Sequence, residues 1–443
     1  IDKASAEALK LLKIDALGLR TLSVIEDAGV VTAEQLYSLP LDDERVFKVF
    51  NDRHFAGIFQ FEGQAQRRVS SEVAIKSFRQ IDHVTALARP GPLGGGASQK
   101  YIARAAGREP VTYRHPSMVA YLADTMGVVL YQEQVMRICF ELGCFDWKTV
   151  SEIRKAMSGR KGKEYFDRRG DEFVKGAATK GLSEVDAREI WAEICTFGAW
   201  GMNRSHTVSY SIISYWCAWL KAYHPLQYFA ACLRNAKDEQ QATELLREAV
   251  DEGIEYVAFD PEHSAIDWSV MDGRLLGGFK NVPGYGPAKA TKAIADRAAG
   301  KLDFEKLRKL PVRFKTLYPL QEQYGHIYDD PTIVGCSRGS VFSRLNQLPS
   351  DGDVLILASV TRKELRDENE TVRVARRDGR RISGQSLFLD VFITDDSGVP
   401  ITLRFDRFIY KPLGQIAFER LEKGDVLMVR GSRIPNFAMI KVK

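Results

Sequence analysis

Lys13 and Asp15 alternate with Leu12, Ile14 and Ala16. Side chains two apart share one face of a strand. The spacing therefore predicts a cation and a carboxylate side by side on a polar face, opposite an apolar one. A site built on that point would need further carboxylates, and the stretch itself supplies only Asp15.

A second polar group is contiguous. Asn203, Arg204, Ser205 and His206 enter a long hydrophobic segment. One reading is a helix cap from Asn203 or Ser205. The other is a phosphate or nucleotide pocket at the helix start, where unpaired N–H groups favour anions. Upstream, Pro90 and Pro92 stiffen the backbone beside Arg89, and Gly94 to Gly96 loosen it again. That suits a plain turn between helices, or a site that grips a triphosphate and then moves.

The stretch NVPGYGPAKATKAI sets Gly284 and Gly286 around Tyr285 and places Pro287 near a helix start. Glycines let a backbone approach a ligand closely, and Lys280, Lys289 and Lys292 add charge. An ordinary glycine-rich turn has the same letters. The following helix and the lysines favour a helix-hairpin-helix element that grips the sugar-phosphate backbone without reading sequence. Near the end, Arg362, Arg373, Arg376, Arg377, Arg404 and Phe405 suit either a groove for single-stranded nucleic acid or a solvated basic loop beside core aromatics.

These groups need elements to position them. Residues 1–40 read as a strand and then a helical stretch, and residues 41–270 as mainly helical. In SEVDAREIWAEICTF, Val185, Ile190, Trp191, Ile194 and Phe197 are expected on one helical face, with Ser183 and Asp186 at its cap. The segment from His206 to Leu233 reads as a buried helix, a break at Pro225 and a second helix. From Val354 onward the pattern switches to period two, with short strands between turn residues. Five or so strands in under a hundred residues predict an OB-fold barrel.

The chain has 443 residues, a net charge of +5, 45% hydrophobic and 27% charged residues. That predicts several soluble domains and only weakly favours a polyanionic partner. Local basic runs, Arg154 to Lys180 and Arg373 to Arg381, favour one more. No apolar run approaches the ~20 residues of a membrane span, so no membrane partner is expected. The six cysteines form no CxxC pair and the few histidines complete no zinc spacing. Reduced thiols in a cytoplasmic protein are expected. Ile1 is followed at once by what reads as domain interior, which predicts a processed chain or one half of a split protein.

Taken in order, several long stretches resemble the family C DNA polymerases, the bacterial DNA polymerase III alpha subunits. KIDALGLRTL resembles the palm motif with a metal-binding Asp. GIFQFEGQAQRR, ALARPGPL, GVVLYQEQVMRI, IRKAMSGRKGKE and GMNRSHTVSYSIISYWCAWLKAYHP resemble successive blocks of the fingers. The hairpin motif and barrel follow in the family's order.

The resemblance implies roles residue by residue. Asp15 would help hold two catalytic Mg²⁺ ions, and Lys13 would lie near the primer end and the phosphates. Arg154 and Lys155 would reach the incoming triphosphate. Asn203, Ser205 and His206 would close over the nucleotide, with Arg204 standing where relatives often have Lys. Lys280, Gly284, Gly286, Lys289 and Arg404 would contact DNA. The family's Asp-x-Asp pair has no counterpart here; Asp351 and Asp353 have the spacing but read as a turn before the barrel.

The expectation is thus a multidomain α+β chain: palm remnant (1–40), mainly helical fingers (41–270), helix-hairpin-helix duplex-binding element (271–315), linker (316–350) and OB-fold β-barrel (351–443). It would be the C-terminal part of a DNA-directed DNA polymerase, inactive alone. Its implied partners are primer-template DNA, dNTP and an N-terminal polymerase fragment carrying the Asp-x-Asp pair. A sliding clamp is a further one, although QSLFL from Gln385 reads better as a strand than as a clamp-binding peptide. The alternatives are a non-catalytic DNA-binding subunit and a lesion-bypass relative in the same family.

Overall fold

The computed structural model describes residues 2–11, 18–158, 163–198, 201–318, 323, 341–342, 345, 348, 353–367, 387–396, 398–405, 421–433 and 439–442. The chain is mixed α+β and divides into two compact units, Ile1–Val312 and Arg313–Lys443.

The first unit is mainly helical. It runs through α1 (Lys3–Ala8), α2 (Arg20–Ala28), α3 (Ala33–Tyr37), α4 (Glu44–Asn51), α5 (Gln64–Glu72), α6 (Phe78–Leu87), α7 (Pro90–Gly94), α8 (Ala97–Ala105) and α9 (Val119–Leu122). Next come α10 (Gln132–Glu141), α11 (Trp147–Ser158), α12 (Lys163–Thr179), α13 (Glu184–Gly198), α14 (Arg204–Tyr223), α15 (Pro225–Arg234) and α16 (Glu239–Asp251). Strands β1 (Tyr256–Val257), β2 (Ser269–Met271) and β3 (Arg274–Leu276) form a small sheet in the order β1-β3-β2, before α17 (Pro287–Ala298) and α18 (Phe304–Arg308). The described residues before Pro40 include no strand; the stretch expected to form one, Leu12 to Leu17, lies outside them.

Helix α14 is the spine of this unit. It packs against α2, α4, α6 and α15, and buries Tyr215, Cys217, Ala218 and Leu220 completely. It ends at His224, after which Pro225 opens α15 from its first position. Proline has no N–H to continue the ladder but fits a helix start, so the break falls where expected. Around it Phe50 and Phe61 meet edge to face at 4.8 Å, a geometry that adds about 0.5–1.5 kcal/mol beyond burial.

A cation lies inside this core. The Lys221 ammonium is 1% exposed and donates to the carbonyls of His54 and Ala56 and to the Glu248 carboxylate, with Glu252 at 3.1 Å. A buried ammonium is tolerated only with such partners, and this one ties α14 to α16 and to the loop after α4.

A second core joins α10, α11, α12 and α13 around Ile138, Phe173, Ile190 and Ile194. Ser183 caps α13 as expected, accepting from the Asp186 amide and donating to its carboxylate. Val185 does not join the apolar face: it is 67% exposed, whereas Ile190, Trp191, Ile194 and Phe197 are buried. Five residues at about 100° each put Val185 roughly 140° away from Ile190. Ala187, three before Ile190, takes the buried position instead.

The second unit contains β4 (Val341–Phe342), β5 (Asp353–Asp367), β6 (Leu387–Thr394), β7 (Ile401–Phe405), β8 (Val426–Arg433) and β9 (Met439–Val442). The sheet order is β4-β5-β6-β7-β9-β8, and β8 also pairs with β5. Pairing therefore runs from β5 through β6, β7, β9 and β8 back to β5. The β7–β9 and β4–β5 ladders are parallel and the others antiparallel. Val354, Ile356, Val391, Ile393, Ile401 and Leu403 fill the interior. QSLFL does enter a strand, since Leu387 begins β6. β4 falls within the stretch expected to be linker and pairs with Val354 and Leu355.

Candidate nucleotide and nucleic-acid sites

The polar cluster at Asn203 sits at the first turn of α14. Asn203 is its cap: Oδ1 accepts from the His206 amide at 3.1 Å and from the Ser205 hydroxyl at 2.5 Å. The Arg204 amide donates to the Glu133 carboxylate at 3.0 Å. Capping and Glu133 thus use two of the amides that an open helix start would offer to an anion. The exposed side chains of Ser205 and His206 remain on the surface, with the His206 ring 4.2 Å from that of Tyr210.

The Arg204 side chain is partly buried. Its Nη2 donates to Asp124 Oδ2 at 2.7 Å, an oxygen that also accepts from Arg79 Nη1 at 3.1 Å. The guanidinium lies 5.1 Å from the centre of the Tyr131 ring. Burial opposes its charge, but the hydrogen bond and charge of Asp124 outweigh burial, and its pKa is raised. The Tyr131 hydroxyl donates in turn to Asp82 Oδ2 at 2.6 Å. Burial pushes the Asp82 carboxyl up, opposed by the Thr207 and Tyr131 hydroxyls and the Arg204 charge. The neighbouring His83 is 1% exposed and faces the Tyr101 hydroxyl at 2.8 Å; burial pushes its pKa down to about 4, so it is neutral at pH 7.

Arg89 converges on the same place. It precedes Pro90, the first residue of α7, and its Nη1 lies 2.8 Å from Met202 Sδ. Met202 bridges Tyr131, and its carbonyl accepts from the Gln132 amide at 2.7 Å. The starts of α7, α10 and α14 therefore meet at Met202. Among the described residues no carboxylate pairs with the half-buried Arg89, whose pKa burial lowers. Only its place before the proline marked it in the sequence. Arg154 and Lys155 stand elsewhere, in the last two turns of α11, half-buried and exposed respectively; cations near a helix C-terminus are favoured by its dipole.

At the hairpin, Gly284 has φ +83°, a left-handed conformation that explains the glycine. A Cβ at Gly284 or Gly286 would meet nothing within 4 Å, so both backbones are open to close approach. Lys280 pairs with Asp267 at 2.6 Å. Lys289 lies 4.0 Å from the Tyr285 ring centre and 3.4 Å from the Gly284 carbonyl. A single 3₁₀ turn, Phe279–Asn281, precedes the glycines and α17 follows.

In the second unit Arg404 is a fork on a buried acid: Nε and Nη2 reach the two Asp390 oxygens at 2.8 and 2.7 Å. Arg362 is exposed and lies 4.0 Å from the centre of the Phe392 ring, its cross-strand neighbour. Lys13, Asp15, Arg373, Arg376 and Arg377 lie outside the described residues, as does the Phe405 side chain. Among the described residues no cluster of three His, Cys, Asp or Glu side chains can hold a metal ion. No helix there is long and apolar enough to cross a membrane.

Residues 21–181 match the bacterial DNA polymerase III alpha subunit finger domain. The chain is 34% identical to the DNA polymerase III subunit alpha of Aquifex aeolicus over 303 residues, 67% of this chain and 26% of that protein. It is 31% identical to that of Thermus aquaticus over 311 residues, 68% of this chain and 25% of the relative. Against the subunit of Helicobacter pylori strain J99 it is 31% identical over 387 residues, 79% of this chain and 31% of the relative. The chain belongs to the bacterial DNA polymerase III alpha subunit family, and it spans about a quarter to a third of the length of these relatives.

Proposed function

We propose that this chain is the C-terminal part of a DNA-directed DNA polymerase, supplying the end of the palm, the fingers, a hairpin that grips duplex and a barrel that holds single strand. The observation that carries the reading is the convergence at Met202. There a half-buried arginine, Arg89, with no carboxylate partner among the described residues, meets a helix start presenting Ser205 and His206. A partly desolvated cation gains when an anion arrives, and a dNTP brings a triphosphate. Arg154 and Lys155 would add charge from α11.

The circuit of pairing with parallel β7 and β9 supports an OB-type barrel. There Arg362 over Phe392 offers cation and ring to a base. The open backbone at Gly284 and Gly286 supports the helix-hairpin-helix reading.

In the complete enzyme the primer 3′-hydroxyl attacks the α-phosphate of the dNTP, one phosphodiester forms, and pyrophosphate leaves with the broken P–O bond. Mg²⁺ would supply charge stabilisation there, held by Asp15 and by carboxylates outside these 443 residues. Lys13 would lie near the primer end. The residues of this chain would bind and orient the triphosphate and both strands.

The test is primer extension by this chain with and without a partner segment carrying the Asp-x-Asp pair. Synthesis is expected only with the partner, and Asp15→Asn should abolish it while leaving DNA affinity near its original value. Robust synthesis by the chain alone would refute the divided metal site. DNA binding without synthesis in any combination would make it a non-catalytic DNA-binding subunit.

A further inference from the structure

Asp82, in α6, is a carboxylate only 2% exposed beside the candidate nucleotide site. Its Oδ2 is tied to the cap of α10, and the start of α14 lies beside it. Tyr131 Oη donates to it at 2.6 Å, and Thr207, in the first turn of α14, places a hydroxyl and Arg204 a charge beside it. Tyr131 in turn lies under the Arg204 guanidinium, and the Tyr131 backbone bridges Met202, the residue before the helix cap. Arg204 is held in turn by Asp124 and, at its amide, by Glu133.

An isolated helix start frays, and Ser205 and His206 are exposed there. A nucleotide held by these side chains needs them in a fixed place before it arrives, because ordering them on binding would weaken affinity. Here a buried acid, a buried phenol and an arginine whose side chain is 32% exposed converge on one helical turn. We propose that Asp82 is a positioning residue for the incoming nucleotide: through the Tyr131 hydroxyl it fixes the ring beneath Arg204, and so holds the first turn of α14 that presents Ser205 and His206. Arg204 then anchors the turn and does not itself grip phosphate. This rests on the polymerase reading above.

The experiment uses the polymerase assembled from this chain and its palm-bearing partner, with Tyr131→Phe, Asp82→Leu, Asp82→Asn and the double Asp82→Leu/Tyr131→Phe. Tyr131→Phe keeps the ring and removes only the hydroxyl. It should raise the dNTP KM about tenfold, the loss of one hydrogen bond to a charged group, with kcat within about twofold and primer-template affinity unchanged. Asp82→Leu should match it, and the double variant should be no worse than either single, as expected for one interaction. Asp82→Asn keeps an acceptor oxygen and should restore most of the affinity. Hydrogen exchange over residues 203–207 of this chain should quicken in Tyr131→Phe, a readout that needs no catalysis. An unchanged dNTP KM in an active assembly overturns the proposal. So does a parallel fall of kcat, DNA affinity and melting temperature, which marks a merely structural network. No incorporation by the unmutated assembly would instead overturn the polymerase reading.

Discussion

Arg404 and Asp390 face each other across the β6–β7 ladder, and the fork of one closes on both oxygens of the other. The acid is 2% exposed and the arginine 30%. The pair is therefore a structural unit on the face where the sequence predicted a DNA contact. Arg404→Met takes the guanidinium fork away from a buried carboxylate and should cost about 3 kcal/mol, read as a lowered unfolding midpoint. Arg404→Met with Asp390→Leu removes both charges and should recover most of it. If single-stranded DNA affinity returns with stability in the double variant, Arg404 acts through the stability of its sheet. If it stays low, the guanidinium also meets the strand.

Lys221 makes a stronger demand on the first unit. Its ammonium serves two carbonyls and two carboxylates at once. Lys221→Met strands Glu248 and Glu252 in the core and should destabilise by about 3–5 kcal/mol. Lys221→Arg should not rescue it, because the wider fork does not fit a site built around a compact ammonium. Chemical denaturation with unchanged m-values checks both.

What was legible in the sequence follows from how local each signal is. The α14–α15 break was readable because proline cannot continue a helix ladder. The Ser183 cap was readable because its partner is three residues away. The alternation after Val354 gave the strands, since period two needs only neighbours. Val185 was misplaced because hydrophobicity alone does not fix a helix phase. The Asp82–Tyr131–Arg204 chain was invisible: its members are 49 and 73 positions apart, in elements whose packing no local pattern specifies. Asn203 to His206 were found as a cluster, but their division into cap, anchor and exposed pair depends on Glu133 and Asp124, which the sequence did not single out.

His83 sets a pH dependence. In the fold it is held to about 4 by burial, against about 6.5 in an unfolded chain. Between those values the unfolded state binds the proton first, so stability is complete above pH 6.5 and falls as pH drops toward 4. The shift amounts to about 3 kcal/mol. Asp82, whose pKa is raised, acts with the opposite sign at lower pH, because the folded state then takes the proton first. Thermal melts from pH 7.5 to 5 should show the loss in the native sequence. In His83→Gln that slope should be shallower, whatever the variant's stability at pH 7.5.

The two hairpin glycines separate contact from conformation. Gly284 needs φ +83°, so Gly284→Ala imposes strain of about 1 kcal/mol even though its surroundings are open. Gly286 has φ −79° and ψ 175°, an extended conformation that alanine adopts freely, and open space as well. A turn that only reverses the chain should tolerate Gly286→Ala with little change in melting temperature or DNA affinity. A turn whose backbone meets phosphate should lose duplex affinity severalfold on gaining that methyl, with stability nearly unchanged. Binding measured across a salt series sharpens the result: a lost phosphate contact lowers the slope of log K against log salt by about 0.9. Unaltered affinity and slope in Gly286→Ala would remove this hairpin from the DNA interface.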